Sequence, residues 1–517
     1  MQRLGLTLGV LLVASSVSAT DWPMYGFDIE NSRFNSFETV MTPENVGSLH
    51  QVWSFATAGP VSVTPIVASG TVYFGSWDHN FYAVNAQTGK LLWKVSVATP
   101  QGDTEGPYPG IQSSALVDDG KVYFGDSCGY LHAYPADGSG ATPTTMTKRN
   151  RGCGSTGTEI AGFPIDLGGN LSVPADAVHT DIFSSPIPFT PTTGHNKDRR
   201  MIYIGAASHV DNPCIRGAEF AIDAAKGTLV WRFDTVPRSA IGAGVWASTA
   251  IDAANNLVYI DTGDCVATAS AGFAESILAL DASCSGVSLD ASCPDLPAVV
   301  YPTVANPKIT LAKDNPVWAF AAHPNGEEAD LDFGSTPNIF TAPNGQLLVG
   351  AASKDGSYYT VRGGPSGGQE VWTTRVVNEQ TPVTTISLGN SIGTPVGGFI
   401  GSTGAAYGKI FGTTASGPEF EVALAMGKGE LIWDGLDASS SFAPVAIANG
   451  LVFSADILGF LKARDEKSGL LKFATFVGNS VSSGPSIANG RIYVGSGLPT
   501  TALSALPLPN GVAAFAP

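Results

Sequence analysis

The sequence predicts an all-β protein, a closed eight-bladed β-propeller built from tryptophan-docking repeats. Three observations predict it. Short runs of alternating apolar residues recur along the chain between Gly, Asn and Asp turns, the pattern of antiparallel strands. The runs share one phrase: strand, Asp- or Gly-containing turn, strand, "TG"-type turn, tryptophan strand. The last unit lacks its tryptophan strand, whereas the N-terminal region has a spare one, "HQVWSFAT" at His50–Thr57. A propeller whose first strand completes its last blade exposes no sheet edge.

The first unit is "GTVYFGSWDHNFYAVNAQTGKLLWKV", residues 70–95. It reads as strand "TVYFG", a turn at Asp78-His79-Asn80, strand "FYAVN", the tight turn "AQTG" and strand "KLLWKV". Gly89 stands where a hairpin turn needs positive φ. Trp93 is the large side chain that packs between neighbouring sheets. Related units begin at Gly120, Met201, Asn256, Gly345, Gly408, Gly450 and Gly490. The unit from Asn256 has its tryptophan strand displaced to "PVWAF", residues 316–320. The insertions 141–181 and 282–315 are expected to decorate one face, and no long amphipathic helix is expected.

A chain of 517 residues exceeds one ordinary core, and a repeat architecture accounts for that length. The 44 acidic against 27 basic residues give a net charge of −17, which argues against nucleic acid or an anionic membrane as partner. The start carries Arg3, an apolar run from Leu4 to Ala14 and the small residues Val17-Ser18-Ala19. Residues 1–19 therefore read as a signal peptide cleaved near Ala19, and 20–517 as a single propeller. No later segment has the ~18 uninterrupted apolar residues of a membrane span. A periplasmic or secreted protein is expected. Six cysteines, an even number, suggest disulfides of open pairing, and the absence of C-x-x-C-H excludes a covalently attached haem.

The stretch "PNGEEADLDFG", residues 324–334, concentrates Glu327, Glu328, Asp330 and Asp332 in a chain only 14% charged. Such a loop is either solvated or a metal or general-base site. By residue type alone, Trp246 reads as a core tryptophan and Lys354 as a turn lysine beside Asp355-Gly356.

The phrase "YAVNAQTGKLLWKV" resembles the tryptophan-docking repeat of quinoprotein alcohol dehydrogenases, which carry pyrroloquinoline quinone and calcium, or a lanthanide, in an eight-bladed propeller. The same repeat occurs in the propeller scaffold of outer-membrane assembly, so three further matches matter more. "VWRFDTVP" at 230–237, followed by "GAGVWASTAIDAANNLVYIDTGD" at 242–264, is similar to the family stretch containing a quinone-stacking Trp and a metal-ligating Asn. The likeness implies that Trp246 stacks on the quinone and that Asp264, in the place of Asn, ligates the metal. "ADLDFGSTPNIF" resembles the loop of the polyvinyl-alcohol-dehydrogenase-like branch; the likeness implies that Asp330 is the general base and that Asp332 matches the metal-ligating second aspartate of lanthanide-type members. "AASKDGSYYTV" is similar to the family's K-N-G turn and makes Lys354 a contact to the quinone oxygens.

Other family positions depart. No Glu precedes Arg216, which leaves Asp211 as candidate metal ligand and His209 as a loop residue or substrate contact. The family's cofactor-binding Thr aligns with Phe183, and the neighbouring Ser184 is the candidate substitute. The family's adjacent cysteine pair is missing. The resemblance implies an exported dehydrogenase that oxidises an alcohol, with secondary and polymeric alcohols among the candidates, and passes electrons to a separate acceptor such as a soluble cytochrome c. The alternative is a non-catalytic scaffold for protein–protein binding in the cell envelope.

Overall fold

The computed structural model describes residues 21–98, 109–208, 213–263, 272–294, 296–302, 315–323, 331–377, 398–415, 420–435, 439–498 and 508–517. Its strands form eight antiparallel sheets arranged as blades in chain order. Blade 1 is Ile66–Ala68, Thr71–Gly75, Asn80–Asn85 and Leu91–Ala98. Blade 4 is Ala250–Asp252, Leu257–Asp261, Ser276–Asp281 and the displaced Trp318–Ala321. Blade 5 is Asn338–Thr341, Leu347–Ala352, Ser357–Arg362 and Glu370–Arg375. In blade 8, His50–Thr57 pairs antiparallel with Asn510–Ala516, as the spare tryptophan strand predicts. The innermost strands of blades 1 and 8, Ile66–Ala68 and Ser486–Ala488, touch and close the circle.

The repeat phrase has a mechanical reason. Each tryptophan of the outer strand reaches into the next blade and donates from its indole nitrogen to a turn carbonyl there. Trp53 donates to Ala86 (3.0 Å), Trp93 to Ala136 (3.3 Å), Trp318 to Gly364 (2.8 Å), Trp372 to Met426 (3.1 Å) and Trp433 to Glu466 (3.0 Å). The turn glycine lies beneath the indole. Gly89 has φ 68°, and a Cβ there would stand 2.7 Å from the Trp53 ring. The "TG" turn thus serves chain reversal and docking together.

The insertions behave differently from expectation. Rather than decorating one face, Gly154–Ser155 and Thr147–Lys148 extend blade 1 outward from Leu91–Ala98, and Val287–Ser288 extends blade 3. Ile165–Asp166 is the outer strand of blade 2. An outer strand offers unpaired backbone groups, and these segments satisfy them. The cysteine pairing left open by the sequence is Cys128–Cys153 and Cys284–Cys293, with Cys214 also disulfide-bonded.

Two axial layers hold the blades. The chain enters six consecutive innermost strands through a Ser or Thr, and backbone N–H groups donate to the next blade's hydroxyl: Thr64 to Ser114 (3.0 Å), Ser114 to Ser185 (3.1 Å), Ser185 to Ser248 (2.9 Å), Ser248 to Thr336 (3.2 Å) and Thr336 to Ser402 (3.0 Å). Three residues further along the strands, the N-terminal segment makes a turn around the axis. Trp22 bridges Val67. Pro23, Ile29, Glu30, Ser32 and Arg33 then accept, through their carbonyls, from the N–H groups of Val117, Ile251, Ile339, Ala405 and Ile447. Asn35 finishes the turn on the Ile487 carbonyl (2.7 Å). Arg33, fully buried, fills the place where blades 7 and 8 offer Pro444 and Gly484 instead of a hydroxyl. Its guanidinium donates to the carbonyls of Val445, Tyr25 and Pro485. A Cβ on Gly484 would lie 2.6 Å from its Nη2.

Candidate active site

In an antiparallel blade the start of the first strand and the end of the second lie at the same end of the axis. That rule brings four segments of blades 4 and 5 together: 242–249, 261–263, 331–337 and 353–357. They lie on the far side of the hydroxyl layer from the N-terminal turn.

Each segment is fixed locally. The "SKDGS" turn is tied by Gly356 N–H to the Ser353 carbonyl (3.1 Å) and Ser357 N–H to Asp355 Oδ1 (2.7 Å), with Gly356 at φ 90°. This turn locks onto the incoming loop, because Lys354 N–H donates to the Asp332 carbonyl (2.8 Å) and Ser353 Oγ to the Leu331 carbonyl (2.8 Å). Gly263 N–H donates to the Gly244 carbonyl (2.8 Å), which ties the end of the second strand of blade 4 to the segment bearing Trp246.

The side chains then converge. Lys354 Nζ lies 3.0 Å from Asp332 Oδ2 and 5.3 Å from the Trp246 ring centroid. The ammonium is held between a carboxylate and a π face. A Cβ on Gly263 would meet both Asp332 oxygens and Trp246 Nε1 at 3.2 Å, so glycine there leaves the space between them open. Trp246 Nε1 is buried with no hydrogen-bond partner among the described residues. Asp261, 2% exposed, has both oxygens without a partner among the described residues, and burial together with the charge of Asp332 raises its pKa well above the usual carboxylate range. A donor without an acceptor and an acceptor without a donor, both buried, mark a place built for something besides the protein's own groups.

Of the residues singled out from sequence, Trp246, Asp332 and Lys354 come together. Ser184 is fully buried, with its Oγ accepting from Gly205 N–H (3.1 Å) and its carbonyl from Ser113 Oγ (2.8 Å). Asp211, Asp264 and Asp330 lie outside the described residues, as do His209, Glu327, Glu328 and the cleavage region near Ala19.

Sequence reasoning missed two things here. Asp261 ends "LVYID", a strand whose alternate residues Leu257 and Tyr259 are buried, so period-two alternation put a carboxylate in a core position. The other is a cluster beside Lys354. His323 Nδ1 lies 2.9 Å from Glu275 Oε2 and Nε2 3.4 Å from Asp355 Oδ2, while Tyr359 OH donates to Asp355 (2.6 Å) and Arg375 reaches it at 3.3 Å. Burial disfavours the charged ring, but hydrogen bonds to Asp355 and Glu275 outweigh it and hold its pKa at about 9. Asp355 is correspondingly held down at about 2, where bonds from His323 and Tyr359 overcome burial.

The sign of the resulting pH dependence follows. With its folded pKa above the unfolded value near 6.5, His323 contributes stability that is fully present below pH ~6.5 and is lost as pH rises through about 9. His132, between Asp126 and Glu159, has the same sign with a folded pKa of about 9. Urea-unfolding midpoints between pH 6 and 10 should therefore converge for wild type and His323→Gln at the alkaline end and diverge at the acid end. Parallel curves would remove His323 as the responsible group.

The fold and this pocket define an eight-bladed propeller with a polar site at one end of its axis. Residues 22–122 match the PQQ family described as "Glucose/ethanol/alcohol dehydrogenase, beta-propeller domain". The chain is 25% identical over 262 residues, half of its length, to quinohemoprotein alcohol dehydrogenase ADH-IIG of Pseudomonas putida, and that match spans 34% of the relative. It is 20% identical over 539 residues to the polyvinylalcohol dehydrogenase of Sphingopyxis sp. (strain 113P3), covering 93% of this chain and 73% of that one. The structure of a europium-containing methanol dehydrogenase superposes with a TM-score of 0.69 at 14% identity, over 97% of this chain and 98% of that one. Residues 22–122 thus match a β-propeller domain of the PQQ alcohol dehydrogenase type, and the chain is similar to dehydrogenases of that kind, although it spans only about a third of the length of the quinohemoprotein relative.

Proposed function

We propose that the protein is an exported quinoprotein dehydrogenase that oxidises an alcohol, secondary or polymeric, at the pocket between blades 4 and 5. The observation that carries the reading is the convergence of Trp246, Asp332 and Lys354 around buried polar atoms with no partner. The residues present suit a planar, anionic, oxygen-rich group. The Trp246 ring offers a stacking face, its Nε1 and Lys354 Nζ offer donors, and Gly263 leaves room. Asp332 would hold the accompanying cation, calcium or a lanthanide, and Asp264 and Asp211 are proposed as its further ligands. Among the described residues no cluster of three or more His, Cys, Asp or Glu forms a metal site on its own.

When bound, pyrroloquinoline quinone supplies the electron-accepting chemistry. The protein's part is positional and electrostatic. Asp332, through its ion pair and its carbonyl bond to Lys354 N–H, fixes the ammonium, which would offset negative charge on a bound quinone. Asp330, two residues before Asp332, is proposed to take the hydroxyl proton of the alcohol as its carbinol hydrogen and two electrons leave. Ser184 is retained only as a candidate cofactor contact. Electrons would pass to a separate acceptor such as a soluble cytochrome c, in the periplasm or outside the cell after cleavage near Ala19.

The test is reconstitution of the purified chain with the quinone and calcium or a lanthanide, followed by dye-linked oxidation of primary, secondary and polymeric alcohols. Quinone binding with turnover is the expected result. Absence of quinone binding would favour a protein-binding scaffold. Asp330→Asn should retain the quinone and lose at least ~10²-fold in turnover. Unchanged turnover would remove Asp330 as base.

A further inference from the structure

We propose that Asp261 supplies a carboxylate to the cation site beside Asp332 and biases that site toward a trivalent over a divalent ion. The inference rests on the proposed cation-assisted function and concerns a residue for which the family resemblance implies no role.

Strand geometry aims Asp261. In Leu257–Asp261, Val258 and Ile260 pack into the core shared with blade 3, whereas Leu257 and Tyr259 pack with Phe333, Ile339, Val349 and Ala351 of blade 5. Alternation places Asp261 on the blade 5 side, where Asp332 arrives. Two residues further on the same side, a Cβ on Gly263 would stand 3.2 Å from both Asp332 oxygens. Asp261 is also electrostatically coupled to Asp332.

Charge accounting then asks for a cation. Asp332 is paired with Lys354, but no basic side chain pairs with Asp261 among the described residues, and neither of its oxygens has a hydrogen-bond partner. A buried carboxylate in that condition is expensive unless it is paired, protonated or coordinated to metal. Carboxylate oxygens are hard donors that select hard cations. Once ionised by coordination, Asp261 would add a second carboxylate charge beside Asp332, and the proposed quinone adds more. Each additional carboxylate favours the more highly charged ion.

The test uses the full-length chain without quinone, titrated with terbium(III) alone and with calcium alone. Terbium emission sensitised by the adjacent Trp246 reports binding. Asp261→Asn should weaken terbium binding about 10-fold or more and calcium binding about 3-fold or less, with unchanged far-ultraviolet circular dichroism. Equal weakening of both ions would overturn the charge bias, and unchanged terbium binding would overturn the ligand assignment and leave Asp261 a neutral buried acid. Should the variant not fold, anomalous scattering from terbium in wild-type crystals decides: an ion more than ~3 Å from both Asp261 oxygens sinks the proposal. Quinone binding, measured separately by calorimetry, keeps the two readings apart. If the quinone binds while terbium ignores Asp261, only this inference falls. If the quinone fails to bind, the proposed function falls and the terbium result stands by itself.

Discussion

Lys354→Met will lower kcat about 10²–10³-fold in the quinone-loaded protein, the usual loss when one preorganised electrostatic group is removed. The argument is geometric. Lys354 leaves a turn that is tied to itself and to the Asp332 loop, and its ammonium is held 3.0 Å from Asp332 and over the Trp246 ring. Such a group needs no reorganisation at the moment charge develops. Methionine keeps the stem and the packing but removes the positive charge that lies 3.0 Å from Asp332. Quinone affinity should fall as well, so the rate must be read at saturating quinone by single-turnover absorbance. Lys354→Arg, which keeps the charge in a different shape, should fall between wild type and methionine. A methionine variant with wild-type single-turnover rate would show that the ammonium serves only to neutralise Asp332.

Arg33→Ala will destabilise the fold by about 4 kcal/mol without touching the pocket residues. The guanidinium is fully buried and serves three carbonyls, those of Val445, Tyr25 and Pro485. Each buried acceptor left without a donor costs ~1–3 kcal/mol, and the vacated volume beside Trp22 and Tyr25 adds a cavity term. Burial lowers the guanidinium pKa to about 10, so the side chain is charged near neutrality. The urea midpoint should drop with an unchanged slope. A loss below ~1 kcal/mol would mean that the N-terminal turn holds without its arginine.

The repeat was legible because each unit must dock a tryptophan on its neighbour's turn, and that requirement writes Trp, Gly and the strand alternation into the chain again and again. Blade closure was legible from a single surplus strand. The axial turn of residues 22–35 was not. Its contacts are single hydrogen bonds to most of the blades, made to residues up to about 450 positions away, and no local period marks it. The grouping of Trp246, Asp332 and Lys354 came from likeness to a family, since nothing in their spacing of 86 and 22 residues announces a contact. His323 was illegible for the same reason: its partners Glu275 and Asp355 lie 48 and 32 residues away. Asp261 was readable in principle, as an acid on the buried side of an otherwise apolar strand.

The axial turn also sets an order of events. Residues 22–57 are synthesised early, yet their partners are spread over every later part of the chain. Asn35 waits for Ile487, and His50–Thr57 waits for Asn510–Ala516. A nascent chain with seven blades complete still lacks the partner of Asn35 and holds an eight-residue strand, His50–Thr57, without its neighbour. Local pairing inside each blade can proceed as it emerges, but final closure is a long-range step that waits for the C-terminal strands. Translation and folding of this chain are therefore uncoupled at the end that matters most. Whatever handles it before completion must keep its first ~40 residues from pairing elsewhere.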